Sequence, residues 1–226
     1  MQLQDNKLIR HTTTDLVFET LHEEIVSLEI LPGTKLSETE VARRFGVSRQ
    51  PVRNAFARLR DLELLIIRPQ RATEVRSFSM AGIAHARFVR LAVELEVIRC
   101  ASRVWNKDCE AALAKNLAMQ KQAVDSENLR DFHVYDYEFH RLICELSGNP
   151  MAFEEIRKTK QKVDRLCVLG LTREREASSV LDDHQQLADA LASGDPKAPE
   201  KTIRQHLSRL DRAIESVHRT HPDFFE

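Results

Sequence analysis

No apolar run in this 226-residue chain approaches the roughly 18 residues that a membrane-spanning helix needs, although 42% of the residues are hydrophobic. The polar opening, MQLQDNK, also lacks the apolar core of a secretory signal. Cysteine is scarce. Cys100, Cys109, Cys144 and Cys167 show no CxxC spacing and fall within helical patterns, so reduced, buried thiols of a cytoplasmic protein are expected rather than disulfides. HExxH is absent. The two ExxH matches, Glu19–His22 and Glu215–His218, fall in different predicted domains, which does not suit a di-iron bundle that needs both in one core. Low-complexity segments and internal repeats are missing as well. Net charge is nearly nil, at −1, so any surface for a polyanion must be local. What remains is a soluble chain with 31% charged residues, long enough to bury a real core in two domains.

The local surface is found in residues 36–75, LSETEVARRFGVSRQPVRNAFARLRDLELLIIRPQRATEV. Ser37 and Glu40 stand at capping-box spacing and predict a helix start at Ser37. Val41, Ala42 and Phe45 give that helix an inward stripe, and Gly46 sits where a chain leaving a helix takes positive φ. Ser48 starts the next helix, where Pro51 is tolerated because first-turn N–H groups lack helical partners. Val52, Ala55, Phe56 and Leu59 then face inward, leaving Arg49, Gln50, Arg53 and Asn54 outside. Arginine can hold guanine O6 and N7, and Gln and Asn match adenine N6 and N7, so this face suits a major groove. Leu64–Ile67 and Thr73–Val75 read as strands around an Arg68-Pro69-Gln70-Arg71 turn, which would carry Arg68 and Arg71 to phosphate or the minor groove. Between Arg43 and Arg76 there are nine arginines against three acids, Asp61, Glu63 and Glu74, a local balance of +6.

Helix, turn, helix and basic hairpin in that order form a winged helix-turn-helix. The run Ser48-Arg49-Gln50-Pro51-Val52-Arg53 resembles the recognition helix of GntR-type bacterial regulators, and the resemblance covers the N-terminal third. Three positions depart from that family: Glu63 replaces a glycine after the recognition helix, Ala72 replaces a glycine in the wing turn, and Thr39 stands where an arginine is usual. A non-glycine residue must then accept positive φ, or the turn must differ.

Ahead of this unit, Leu16, Val17, Leu21, Ile25, Leu28 and Ile30 predict an amphipathic bracing helix, while residues 1–10 look frayed. Strand signals vanish from Ser79 onward. Breaks near Asn106, Glu127, Gly148-Asn149-Pro150, Gly170 and Gly194-Asp195-Pro196 divide the rest into about six helices, as in a bundle. The expected organisation is mainly α: a winged helix-turn-helix over residues 1–78 and an all-helical domain over residues 79–226.

Three of the bundle's apolar stripes carry polar intruders. Phe132, Asp136, Phe139, Ile143 and Leu146 share a stripe with His140 beside it. His184 sits among Val180, Leu181, Leu187, Ala188 and Leu191, and His206 among Ile203, Leu207, Leu210, Ile214 and Val217. A buried carboxylate is costly unless it is paired or binds a metal. Three histidines and an aspartate converging in a core would suit a divalent transition metal, most simply Zn²⁺, with positions left for water or ligand. The alternative is that each histidine is a hydrogen-bonded core residue and Asp136 pairs with an arginine. His133, seven residues before His140, could replace one ligand.

The C-terminal part resembles the FCD effector domain of the FadR branch of GntR regulators. Asp136-Tyr137-Glu138-Phe139-His140 followed by Ser147-Gly148-Asn149 matches its motif, and His184 and His206 match its later histidines. The resemblance implies metal ligation by Asp136, His140, His184 and His206, by zinc or by nickel or another divalent ion. It also places Arg90, of an Arg90–Glu94 pair, near an effector pocket as a carboxylate clamp; the plainer role for Arg90 is an i,i+4 ion pair. The expectation is a cytoplasmic, homodimeric bacterial transcription regulator, not an enzyme, that binds palindromic operator DNA and responds to a small carboxylate.

Overall fold

The computed structural model describes residues 12–170 and 173–226; the expected fraying of residues 1–10 lies outside them. The chain is mainly helical and divides into two compact units, residues up to Phe78 together with Asp223–Glu226, and Ser79–Pro222.

In the first unit, α1 (Thr13–Val26) starts from a capping box in which Thr12 and Asp15 satisfy each other's backbone N–H. Its buried face is Val17, Leu21 and Ile25. The bracing helix is shorter than its apolar pattern suggested. Leu16 is 55% exposed, and the chain leaves the helix after Val26, so Leu28, at φ 64°, and Ile30 pack from the following turn. After the two-residue strand β1 (Lys35–Leu36) come α2 (Glu38–Phe45) and α3 (Arg49–Asp61). Ser37 and Ser48 occupy the cap positions just outside these helices, but neither side chain makes a capping hydrogen bond, so the expected Ser37–Glu40 box does not form. Glu38 instead turns to the arginines of α3, described below. Gly46 takes φ 65° and closes α2 as expected.

β2 (Leu65–Ile66) and β3 (Thr73–Val75) form the antiparallel wing, and β1 adds to the far side of β3, giving the order β1-β3-β2. That third strand was not expected; two residues are too short to show alternation. Glu63 accepts φ 59°, and Leu64 N–H bonds Leu59 C=O at 2.9 Å, a helix exit that glycine usually makes. In the wing turn positive φ falls on Gln70, at 57°, and not on Ala72, so this turn differs from the one a glycine at 72 would make. Val52, Ala55, Phe56 and Leu59 of α3 meet the α1 face and Val41, Ala42, Leu65 and Val75 in one core. Each fully buried valine, leucine or phenylalanine side chain among them contributes roughly 1.5–3 kcal/mol. Asp223–Glu226 were expected with the bundle, yet Phe78 N–H bonds Phe224 C=O at 2.8 Å and Glu226 N–H bonds Phe78 C=O at 2.9 Å.

The second unit comprises α4 (Met80–Val104), α5 (Lys107–Asp125), α6 (Leu129–Leu146), α7 (Ala152–Gly170), α8 (Arg173–Ala192) and α9 (Ala198–Thr220). Its breaks fall at the signalled positions: Asn106 caps α5, Glu127 takes φ 54°, and Gly148 and Gly194 take positive φ. The core runs through Leu95, Ile98, Leu113, Phe139, Ile143, Ile156, Leu187 and Ile203, one or two residues from each helix. Cys109 and Cys144 are buried free thiols and Cys100 is half-buried; the side chain of Cys167 lies outside the described residues.

Candidate metal centre and nucleic-acid face

The polar intruders on α6, α8 and α9 meet. His140, His184 and His206 are all buried, and each offers a ring nitrogen within 4.8 Å of the others. Phe139, one residue before His140, stacks on His184 with ring centres 3.9 Å apart, which holds that imidazole flat against the core.

Each imidazole is held from behind. His140 Nδ1 lies 3.0 Å from Glu94 Oε2, His184 Nδ1 lies 2.9 Å from Gln120 Oε1, and His206 Nδ1 lies 3.4 Å from Asp183 Oδ2. A carboxylate can only accept, so the protons of His140 and His206 sit on Nδ1. Gln120 is oriented in turn: its amide N–H donates to Asn116 Oδ1 at 2.7 Å, and Asn116 donates to the Tyr135 carbonyl at 3.1 Å. That leaves the Gln120 oxygen to accept from His184 as well. All three Nε2 lone pairs are thereby turned away from their partners. An outer acceptor on Nδ1 is what fixes tautomer and ring direction in metal-ligating histidines. His184 Nε2 is fully buried with no hydrogen-bond partner, a donor set left incomplete. Burial pushes His184 well below the usual histidine range, reinforced by His206, and lowers His206 against the pull of its bond to Asp183. Neutral imidazoles are the form a metal needs.

Asp136 stands beside this cluster with one oxygen turned toward it. Its Oδ1 is 3.6 Å from His184 Nε2 and 3.9 Å from His140 Nε2, while Oδ2 accepts from Lys160 Nζ at 2.8 Å. The partner is thus a lysine of α7 rather than an arginine. Burial works against ionising Asp136, but Lys160 foremost holds its carboxyl below the usual carboxylate range. Arg90 pairs with Glu94, Nε to Oε1 at 2.6 Å, and its Nη2 also lies 3.2 Å from His140 Nε2. The plain ion pair and a position beside the histidines therefore hold together. His133, two turns before His140 on α6, is exposed and is not among the clustered histidines.

The first unit presents a different surface. Ser48, Arg49, Gln50, Arg53 and Asn54 are exposed along one edge of α3, and Arg68 and Arg71 are exposed in the wing turn. Arg49 donates to Glu38 at 2.9 Å and Arg53 donates to it through Nε at 3.2 Å and Nη2 at 3.1 Å, while Gln50 donates to Asn54 at 3.1 Å. Glu38 in the first turn of α2 thus pins both arginines along the recognition edge.

Comparison with known proteins joins the two units. The profile of the bacterial regulatory proteins of the gntR family matches residues 13–75, and that of the FCD domain matches residues 86–209. The chain belongs to the GntR family. It is a DNA-binding transcriptional regulator of the GntR/FCD type, not an enzyme. This GntR regulator is 35% identical over 210 residues to the HTH-type transcriptional repressor RspR of Escherichia coli (strain K12), covering 92% of each chain. It is 30% identical over 229 residues to the repressor NanR of Salmonella newport (strain SL254), covering 92% of this chain and 87% of that one. Its fold matches the solved structure of E. coli McbR/YncC with a TM-score of 0.68 at 19% identity, over 90% of this chain and 97% of the other. Among the described residues no helix is long and apolar enough to cross a membrane.

Besides Glu94, named from sequence only as the partner of Arg90, four residues around the histidines were not singled out from sequence as site residues: Gln120, Lys160, Asp183 and Asn116. Three of them carried the same signal that flagged the histidines. Asn116 and Gln120 interrupt the Leu113–Leu117–Ala123 stripe of α5, and Lys160 interrupts the Ile156–Val163–Leu166 stripe of α7. Asp183 lies only at the edge of the α8 stripe, three residues after Val180 and four before Leu187.

Proposed function

We propose that operator binding by this regulator is modulated by a small carboxylate held at a metal site in the bundle. His140, His184 and His206 would ligate a divalent transition ion through Nε2, with Asp136 Oδ1 as a fourth ligand and zinc as the simplest occupant. The single observation that carries this reading is the set of three Nδ1 partners, Glu94, Gln120 and Asp183, which turn the three Nε2 lone pairs away from them. A hydrogen-bonded core histidine would also have a partner, but three of them have no reason to bring ring nitrogens within 4.8 Å of one another and leave the Nε2 of His184 buried without a hydrogen bond. With Nε2 of His140 engaged, the Arg90 Nη2 now beside it is released to clamp an effector carboxylate bound at the metal.

On the DNA side, Arg49, Gln50, Arg53 and Asn54 would read base edges, with Ser48, Arg68 and Arg71 on phosphate or the minor groove. One short recognition helix reads few bases, so a homodimer on a palindromic operator, in a bacterial cytoplasm, completes the proposal. RspR and NanR are both named repressors, which favours repression here.

The test begins with DNA. Genomic fragments selected on the full-length protein supply an operator, whose affinity is then measured against random DNA across a salt series. A sequence bound at least about a thousandfold above random DNA supports the proposal, and equal affinity for both at every salt concentration contradicts it. For the metal, elemental analysis of parent and His184→Ala protein should show a stoichiometric ion in the parent and its loss in the variant. Equal content in the two refutes the assignment.

A further inference from the structure

Lys160 is 7% exposed, and its ammonium is set on an aspartate that faces the imidazoles of His184 and His140. The ammonium also lies 4.5 Å from the centre of the Tyr137 ring, a second contact that fixes it in place. Asp136 is 5% exposed, so little solvent screens this pair. One oxygen of the carboxylate is committed to the lysine at 2.8 Å, and the other faces the Nε2 atoms of His184 and His140 at 3.6 and 3.9 Å.

A divalent ion seated among those nitrogens and Oδ1 would have a positive charge on the far oxygen of its own ligand. Two opposite consequences follow for Lys160. As an orienting partner of a ligating carboxylate it would raise metal affinity. As a like charge one carboxylate away, in a site nearly closed to water, it would lower it. The second effect also acts on the metal-free protein, where the lysine already neutralises Asp136 and so removes the unpaired buried charge that a metal would otherwise relieve. Orientation contributes one hydrogen bond, and Asp136 is already held by its place on α6 between Phe132 and Phe139. Charge therefore decides the sign.

We propose that Lys160 is an internal cation that opposes the metal ion by like charge across the side chain of residue 136 and holds down the metal affinity of the histidine cluster. The inference rests on the metal reading given above. It makes metal occupancy adjustable: an anionic ligand that draws the ammonium off Asp136 strengthens the metal's hold, and by reciprocity the metal strengthens the hold on the anion.

The experiment is a Zn²⁺ titration of the full chain in competition with a chromophoric chelator at constant pH and salt. Lys160→Met, which keeps the length and removes the charge, is expected to bind Zn²⁺ at least roughly tenfold more tightly than the parent. Lys160→Arg, which keeps the charge, is expected within about threefold of the parent. Lys160→Met leaves Asp136 buried and unpaired, so a second comparison avoids that folding penalty: Asp136→Asn/Lys160→Met should bind at least roughly tenfold more tightly than Asp136→Asn alone. Loss of binding in His184→Ala together with equal or weaker binding in both lysine-free proteins overturns the inference and leaves the metal reading standing. Equal Zn²⁺ binding by the parent and His184→Ala, or no binding by any variant, overturns the metal reading and the inference with it.

Discussion

Replacing Gln120 with leucine roughly keeps the side-chain volume and removes two polar links, the acceptor behind His184 and the donor to Asn116. Gln120 is fully buried, receives the His184 Nδ1–H at 2.9 Å and donates to Asn116 Oδ1 at 2.7 Å. The variant leaves that N–H and that amide oxygen buried without partners. At about 1–3 kcal/mol for each unsatisfied group, the metal-free bundle should lose roughly 2–6 kcal/mol. Urea unfolding should show this as a lower midpoint with an unchanged slope. The same change frees the imidazole to flip or to shift its proton to Nε2, so Zn²⁺ affinity should fall about 10- to 100-fold, the usual effect of deleting an outer partner of a ligating histidine. A folded Gln120→Leu protein with parental stability and parental Zn²⁺ affinity would refute the claim that the outer acceptors aim the histidines.

Acid should destabilise the metal-free bundle before its carboxylates titrate. His184 and His206 are held below 6.5 in the folded protein and return to about that value when unfolded, so below 6.5 the unfolded chain binds more protons. Stability is then complete above 6.5 and is lost as pH falls from there toward the lowered folded values; urea midpoints at pH 7.5 and 5.5 check this, and a higher midpoint at 5.5 contradicts it. Arg49→Ala should weaken operator binding by roughly 1–3 kcal/mol with little change on random DNA, the mark of a base contact. Arg68→Ala and Arg71→Ala should weaken binding to all sequences and lower the salt slope by about 1 each, as phosphate contacts do. Glu38→Gln frees both Arg49 and Arg53 from an exposed pair and should raise affinity for any duplex by about two- to fivefold, measured by anisotropy at fixed salt.

The sequence was most legible where one residue type has one physical use. Gly46 and Gly148 marked helix exits, Pro51 marked a first turn, and the stripes of α3 and α6 placed Phe56 and Phe139 inside. Asp136, His140, His184 and His206 stood out because a polar group on an apolar stripe demands a reason, and their meeting point was legible only through the family resemblance. Pairings between distant residues were not legible: nothing near Lys160 announces that it faces Asp136, 24 positions away, or that Asp183 serves His206 rather than its neighbour His184. Ser37 and Glu40 show the opposite failure. Their spacing permits a capping box, yet Ser37 makes no capping hydrogen bond, while Glu38 beside it holds two arginines. A motif states what a backbone can use, and competing partners decide whether it is used.

The central claim is that the bundle's histidine site governs the DNA-binding unit. Its most direct test is the affinity of the parent and of His184→Ala for the selected operator, titrated with Zn²⁺ at constant salt. A coupling of about 1–3 kcal/mol, roughly 5- to 150-fold, is expected in the parent and none in the variant. Parental affinity that stays constant with Zn²⁺ bound, or an equal response in both proteins, contradicts it.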